Sequence, residues 1–496
     1  MSSRSRRQFM TESLLTSAAA VAATYAAQSG NAYAQQATDK APEKVSPNDL
    51  ISVAVIGANS RGGNHIEAFA KAKDTIITHI CDTDEQVGYK RCEDAAKLQG
   101  GKKPEWVRDI RKLLEDKSID AVSVATPNHW HALATIWAVQ AGKDVYCEKP
   151  VSHNVSEGRR AVQVAAKYGK IVQTGTQSRS NAGIRDAVEF IHKGGIGDVR
   201  LVRGLCYKPR GSIGPKGNYE VPAYIDYDLW SGPAEILPVT RKQFHYDWHW
   251  QWPYGNGDLG NQGIHQMDVS RWVLNAPQLS DHVFSVGGRL GYEDAGETAN
   301  TQSIIHQFGE KRIIFEVRGL KTDPYKGAAV GLVAYGTKGY VVFPNYYTLA
   351  VVYDTEGNKI KEFKGGNDQI HYENFISAVK SRNPDELAAP ILDGHLSSGL
   401  CHTGNISYRL GQKSDLGEVN SFVEGLTRVE EIQETLDRMT AHLKENKVDL
   451  KATPLTFGQL LHMDPSTERF LQNDAANAML TRDYRSGFVV PTEANI

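Results

Sequence analysis

The sequence predicts an α/β protein whose first third is a doubly wound parallel sheet. Three observations lead there. Short apolar runs rich in β-branched residues alternate with helical patterns from about residue 49 to 176. Glycines follow the first run at once, at Gly57, Gly62 and Gly63. Polar side chains gather just past the ends of successive runs, at Asp82, Thr126, Asn128, His131, Glu148 and Lys149. In an open parallel sheet, ligands bind outside the carboxyl ends of the strands, so this shared placement marks a site.

Residues 1–34 have the pattern of a removable export leader. Ser5-Arg6-Arg7-Gln8-Phe9-Met10 is a twin-arginine sequence, Leu14 to Ala27 is mildly apolar, and Ala32-Tyr33-Ala34 is a small-residue cleavage site. That route carries proteins already folded, so the expectation is a periplasmic protein that acquires its ligand before crossing. Residues 35–48, rich in Gln, Ala, Lys, Pro and Ser, are expected to be a linker or arm.

Ile51 to Ile56 is the first strand. Gly57 permits the tight turn into a helix, and Gly62 lets that helix pack closely on the strand. Ile66, Phe69 and Ala70 share one helix face, and Ile76 to Cys81 forms the second strand, ending at Asp82. A strand, a glycine turn, a helix and a terminal acid form a dinucleotide-binding unit. The helix N-terminus offers free N–H groups to a pyrophosphate. Asp82 can accept hydrogen bonds from both ribose hydroxyls, and its charge repels a 2′-phosphate, which favours NAD over NADP. Asn59 stands where the motif has its middle glycine; asparagine tolerates left-handed geometry, so the turn survives. Ser60 lies in the same turn, and Arg61 adds a cation near the phosphates.

Helical patterns continue at 84–98 and 109–116. Ala121 to Thr126 is a strand stopped by Pro127, and Asn128 is placed to cap a helix running to Gly142. Asp144 to Cys147 is a strand ended by Glu148-Lys149-Pro150, and a helix over 156–168 and a strand over 171–174 complete the alternation.

Composition sets limits. The formal net charge is −2 and no basic tract suggests nucleic acid. No later segment is apolar enough for stable membrane insertion. The five cysteines are scattered, without a disulfide framework or a C-x-x-C metal signature, and no metal is expected.

Three segments now carry a resemblance: the Gly57-Ala58-Asn59-Ser60-Arg61-Gly62 turn, Ala125-Thr126-Pro127-Asn128-His129-Trp130-His131, and Gly142-Lys143-Asp144-Val145-Tyr146-Cys147-Glu148-Lys149-Pro150. They are similar to those of the Gfo/Idh/MocA oxidoreductases, which include glucose-fructose oxidoreductase and inositol dehydrogenase. Residues 257–268 and His371-Tyr372-Glu373-Asn374-Phe375 extend the likeness, which covers most of 50–411. The resemblance implies a second α+β domain, over 177–411, with a large, open, mainly antiparallel sheet that contacts substrate and builds a homo-oligomer, a dimer or tetramer. Runs at 196–207, 282–290, 302–308, 312–318, 330–335, 340–344 and 348–353 read as its strands.

The resemblance also implies roles. Lys149 belongs beside the nicotinamide and the substrate hydroxyl, where its ammonium stabilises alkoxide charge and relays a proton. Glu148 belongs to the cofactor site. His265 matches a histidine base that relatives place four residues after an aspartate; here that position is Asn261, which can orient a hydroxyl but adds no charge.

Residues 244–254 are crowded with aromatics. If extended, His245, Asp247 and His249 face one side and Tyr246, Trp248, Trp250 and Trp252 the other. Trp248 and Trp250 are then expected to carry a sugar ring, with ordinary aromatic core as the alternative. Arg179 is expected either to clamp substrate or to brace the domain seam, and His402 to be structural. Residues 412–496 are expected to form a helical extension, striped by Leu426, Val429, Leu436, Met439 and Leu443, and then an arm. The function expected is hydride transfer between NAD and a hydroxyl-bearing carbon of a sugar, cyclitol or glycoside. Redox-neutral glycoside hydrolysis and non-catalytic sugar binding are the alternatives.

Overall fold

The computed structural model describes residues 50–344, 348–414 and 429–496. The expected export leader and linker, residues 1–48, and Leu426 lie outside the described residues.

The first sheet grows from β1 (Ile51–Ile56), α1 (Arg61–Lys71), β2 (Thr75–Cys81), α2 (Glu85–Leu98) and β3 (Glu105–Val107). It continues through β4 (Ala121–Val124), α3 (Asn128–Gln140), β5 (Asp144–Cys147), α4 (Val155–Tyr168) and β6 (Val172–Thr174). The strand order is β3-β2-β1-β4-β5-β6, all parallel. Every residue of β1, β4 and β5 is buried, as strands covered on both faces require. The chain order reverses between β1 and β4, and that crevice is where a doubly wound sheet binds its ligand. Strand β3 is too short and too exposed to announce itself in the sequence.

The second domain begins with α5 (Ala182–His192) and β7 (Val199–Tyr207). Next come α6 (Ile264–Leu274), entered through a π-helical turn at Leu259–Gly263, then β8 (His282–Gly288), β9 (Thr301–Phe308) and β10 (Lys311–Arg318). Strands β11 (Val330–Gly336), β12 (Gly339–Phe343), β13 (Leu349–Tyr353) and β14 (Lys359–Lys364) follow, then α7 (Gln369–Ser381) and α8 (Ile391–Arg409). The strands form an open sheet in the order β14-β13-β12-β11-β7-β10-β9-β8, antiparallel except for the β7–β10 pair. Helices α5, α6 and α8 pack on one face around Val202, Ile304, Phe315 and Leu400.

The C-terminal extension is not purely helical. Among its described residues are β15 (Gln412–Ser414), α9 (Val429–Glu445), β16 (Leu455–Phe457), β17 (Leu461–Asp464) and β18 (Arg469–Phe470). Strand β16 pairs with β8 and so extends the large sheet. Ile432, Leu436, Met439 and Leu443 of α9 cover the other sheet face, against Phe284, Ile305 and Ile314. Part of the face expected to meet a second subunit is therefore covered by the same chain. The final arm also folds back on its own body, with Phe488 set edge-on to Trp130 at 5.6 Å. No described helix is long and apolar enough to cross a membrane.

Candidate functional site

One cavity of about 410 Å³ opens at the carboxyl edge of the parallel sheet and runs beneath the second domain. Gly57, with φ of 78°, turns the chain at its floor; a Cβ there would lie 2.6 Å from the Thr126 amide nitrogen. A Cβ on Gly62 would lie 2.0 Å from the Gly57 carbonyl, so only glycine lets α1 sit this close. The second strained position is Ser60, with φ of 45°, and not Asn59. Asn59 instead accepts a hydrogen bond from the Ser60 amide, 2.9 Å away.

Asp82 closes one end. Its carboxylate accepts from the Ala58 amide (2.7 Å) and the Asp84 amide (2.9 Å), which fixes its orientation toward the turn. Burial raises its pKa, against the pull of the two amides. Spare lone pairs on this carboxylate fit ribose hydroxyls, and Thr126 Oγ1 lies buried without a partner on the same cavity wall. The residues present therefore fit a dinucleotide. Asp82→Asn, measured by titration with both cofactors, is expected to weaken NAD by about tenfold to a hundredfold, because hydrogen bonds to a charged group contribute about 1.5–3 kcal/mol. It should also narrow the gap to NADP.

Glu148 is the hub of the opposite end. It is buried and receives Arg61 Nε (2.9 Å), His65 Nε2 (3.1 Å), Gln177 Nε2 (3.0 Å) and the Lys149 amide (3.2 Å). Burial opposes its charge, but Arg61 and His65 outweigh that and hold its carboxyl well below the usual range. Arg61, expected near the phosphates, lines the cavity and is ion-paired with Glu148. His65 and Gln177 were not anticipated. Gln177 follows the end of β6 and obeys the same placement rule as the others, whereas a histidine on a buried helix face carries no such signal.

Lys149 Nζ lies inside the cavity and donates to the backbone carbonyl of Asn261 at 2.8 Å. Burial is the main cause that lowers its pKa to about 8; Glu148 resists and Arg61 assists. His265 lines the same cavity, and burial, then the charge of Lys149, pushes its pKa well below 6.5. Asn261 sits in the π-helical turn, so it reaches Lys149 through its main chain while its residue also lines the cavity. Such turns are frequent at functional sites.

His131 spans the two loops of the site. Its ring nitrogens lie 2.6 Å from the Pro150 carbonyl and 2.7 Å from the Thr126 carbonyl. Both oxygens can only accept, which favours a doubly protonated ring, while burial pulls the pKa down. Asn128 does not cap α3. It is the first residue of that helix, and its amide donates to Asn256 Oδ1 at 3.0 Å across the domain seam.

Two expected substrate contacts lie elsewhere. Arg179 is buried away from the cavity, donating to Asp268 (2.8 and 3.0 Å) and Asp393 (2.9 Å); it braces the seam. Residues Asp247–Trp250 form a 3₁₀ turn, not an extended strand, so the expected alternation of faces does not occur. Trp248 does line the cavity, stacked on His249 with ring centroids 3.6 Å apart. Trp250 is buried behind it, against Tyr246 and under the Arg210 guanidinium. His245 pairs with Asp84 at 2.7 Å. The turn follows from local backbone bonds such as Gln251 N to Trp248 O, which period-two counting does not foresee.

A parallel nucleotide-type sheet, a terminal acid, and a lysine and histidine in one cavity define a nicotinamide-dependent oxidoreductase. Residues 51–176 match an oxidoreductase family with an NAD-binding Rossmann fold, and residues 214–432 match the family's C-terminal alpha/beta domain. The chain belongs to this Gfo/Idh/MocA family. It is 24% identical to myo-inositol 2-dehydrogenase of Thermotoga maritima over 375 residues, which is 74% of this chain and 99% of that protein. It is 34% identical to the NAD(+)-dependent scyllo-inositol 2-dehydrogenase of Bacillus subtilis over 266 residues, 53% of this chain and 65% of that one. Among solved structures, levoglucosan dehydrogenase in complex with NADH and levoglucosan shares the fold. Its TM-score is 0.55 at 18% identity, over 71% of this chain and 95% of that chain.

Proposed function

We propose that the protein oxidises or reduces a CH–OH carbon of a sugar or cyclitol with NAD(H), and that it does so after export. The observation that carries the chemistry is the placing of Lys149 and His265 on one cavity whose far end holds Asp82. NAD bound there supplies the hydride acceptor. His265, kept neutral by burial, is fit to take the hydroxyl proton, and Lys149, shifted to about 8, is fit to receive it in turn. Trp248 offers a flat apolar face to a pyranose or cyclitol ring, and Asn261 orients a hydroxyl. That its relatives include inositol and levoglucosan dehydrogenases supports this substrate class.

Export rests on the twin-arginine pattern at Arg6-Arg7 and the small-residue site at Ala32-Tyr33-Ala34. Free cofactor is scarce outside the cytoplasm, so tight retention belongs to the proposal. A homo-oligomer, if formed through the sheet, would use the half over β11–β13, where Tyr335, Tyr340 and Tyr353 are half-buried, since α9 covers the rest.

The test is mass spectrometry of nucleotide released from the mature protein, followed by a panel of sugars, cyclitols and glycosides while reduced-nicotinamide absorbance is followed. Bound NAD and a lasting absorbance rise with a sugar or cyclitol is the expected result. Bound NAD with glycoside cleavage and no lasting signal would replace net oxidation with redox-neutral hydrolysis. Bound NAD without turnover of any compound would leave a sugar-binding protein, and no bound or bindable nucleotide would overturn the proposal.

A further inference from the structure

His249 lines the same cavity as Lys149, His265 and Asn261, and the proton path from substrate to lysine does not use it. It comes from the 3₁₀ turn at Asp247–Trp250, in the second domain. The turn holds it firmly. The Tyr246 carbonyl receives the His249 amide at 3.3 Å and lies 2.6 Å from the ring nitrogen Nδ1. The Trp248 ring stacks on the imidazole, with centroids 3.6 Å apart and planes 20° from parallel. Gly255 packs against the backbone of the same residue; a Cβ there would lie 2.4 Å from the His249 carbonyl oxygen. A ring fixed by one hydrogen bond, one stack and a packed backbone is preorganised.

The tautomer follows from that bond. A carbonyl oxygen can only accept, so Nδ1 carries the proton. Burial, assisted by the charge of Lys149, pushes the ring pKa down to about 3, so the imidazole is neutral and Nε2 bears a bare lone pair. No described residue donates to Nε2, and this nitrogen keeps access to solvent. Lys149 is its complement. The ammonium can only donate, and it gives one of its three protons to the Asn261 carbonyl at 2.8 Å. The cavity thus offers spare N–H donors at Lys149 and an acceptor without any proton at His249.

We infer that His249 Nε2 accepts the O–H of a second substrate hydroxyl, distinct from the one oxidised, and so selects polyols over their monodeoxy analogues. This rests on the oxidoreductase reading of the cavity. The reacting oxygen accepts from Lys149, and a neighbouring hydroxyl of the same molecule donates to His249, so the ring is bound with one polarity. A site built to pair with a hydroxyl rejects an analogue that lacks it, because its polar group is then left without a partner. The nicotinamide carboxamide also has N–H groups to offer. The nucleotide floor, however, is built from the first domain, whereas His249 stands on the second, the domain that faces the substrate.

The test is steady-state kinetics of the full mature chain with NAD and a panel beginning with myo-inositol, levoglucosan and glucose, repeated with monodeoxy analogues of whichever is oxidised. His249→Phe keeps a flat ring but removes the acceptor. It should raise KM about tenfold, change kcat by less than about threefold and leave NAD affinity unchanged. His249→Gln returns an acceptor oxygen and should recover part of the loss. One monodeoxy analogue should have a KM about tenfold above its parent in the wild type and equal to it in His249→Phe. Should His249→Phe fail to fold, the wild-type comparison and His249→Gln carry the test. A wild type that oxidises a polyol but takes every monodeoxy analogue equally well overturns the inference and leaves the oxidoreductase reading standing. So does an unchanged KM in His249→Phe. Weaker NAD binding in that variant, with KM for the polyol unchanged, would give the acceptor to the carboxamide and also overturns it. A wild type that holds NAD but oxidises nothing in the panel overturns the proposed substrate class, and this inference with it.

Discussion

Lys149→Met is expected to lower turnover by about 10²–10⁴-fold while the protein still carries NAD, because the change removes a proton-transfer group and spares the nucleotide floor. Gly57, Gly62 and Asp82 hold that floor without help from the lysine side chain, which donates to Asn261 in the other domain. The pH profile makes the prediction sharper. Glu148 stays ionised and His265 stays neutral above pH 6.5, so neither leaves a titration limb at neutral pH. Lys149, at about 8, does. Oxidation needs the free amine as final proton acceptor, so kcat/KM should rise with pH and level off above the lysine pKa. Reduction needs the ammonium, so it should fall through the corresponding pKa. With oxidised nicotinamide bound, a second positive charge disfavours the ammonium and moves the oxidation limb below 8; the reduced ring carries no such charge. Paired profiles that move in opposite directions, both absent in the variant, would establish the relay. Oxidation that falls above pH 8 would instead make the ammonium an electrostatic stabiliser.

The parallel sheet was legible in the sequence because its strands are buried on both faces and leave unbroken apolar runs, as Ile51 to Ile56 and Ala121 to Val124 do. The cavity was legible because the same fold rule places Asp82, Thr126, Glu148 and Lys149 at one edge. What the sequence hid were contacts made across the chain. Arg179 could clamp or brace, and only the position of Asp268, on a helix of the other domain, decides for the brace. Asn128 has the residue type of a cap but spends its amide on Asn256. Arg61 sits in the turn that addresses phosphates, yet a longer-range carboxylate, Glu148, captures it. The aromatic run at 244–254 alternates in a way that sorts its faces only if it is extended, whereas its backbone bonds close a tight turn. In the extension, the stripe of α9 was visible; the strand β16, added beside β8, was not, since three residues carry too little periodicity.

The seam itself yields the largest expected effect on stability. Asp268 is fully buried and accepts two bonds from Arg179 and one from Ser397 Oγ at 2.7 Å. Arg271 donates to the same Ser397 at 2.9 Å and is ion-paired with Asp393, which also takes Arg179. Two guanidinium groups thus share two carboxylates, Asp268 out of reach of bulk water and Asp393 partly exposed. Asp268→Ala leaves Arg179 buried with half its neutralisation gone, and removing one partner from such a group costs about 3–5 kcal/mol. The thermal midpoint should fall by several degrees. Nucleotide retention should weaken as well, because Arg179 follows directly on Gln177 and Ser178, which line the cavity, and Gln177 holds Glu148. The joint Arg179→Met, Asp268→Leu chain discriminates between causes. If the loss comes from an uncompensated charge, removing both charges restores most of the stability, since desolvation and attraction nearly cancel in a buried pair. If the pair instead fixes the loop that carries Gln177, the double change recovers the melting temperature but not the nucleotide. A single alanine chain as stable as the wild type would show that the seam is held by the apolar contacts of α6 and α8 alone.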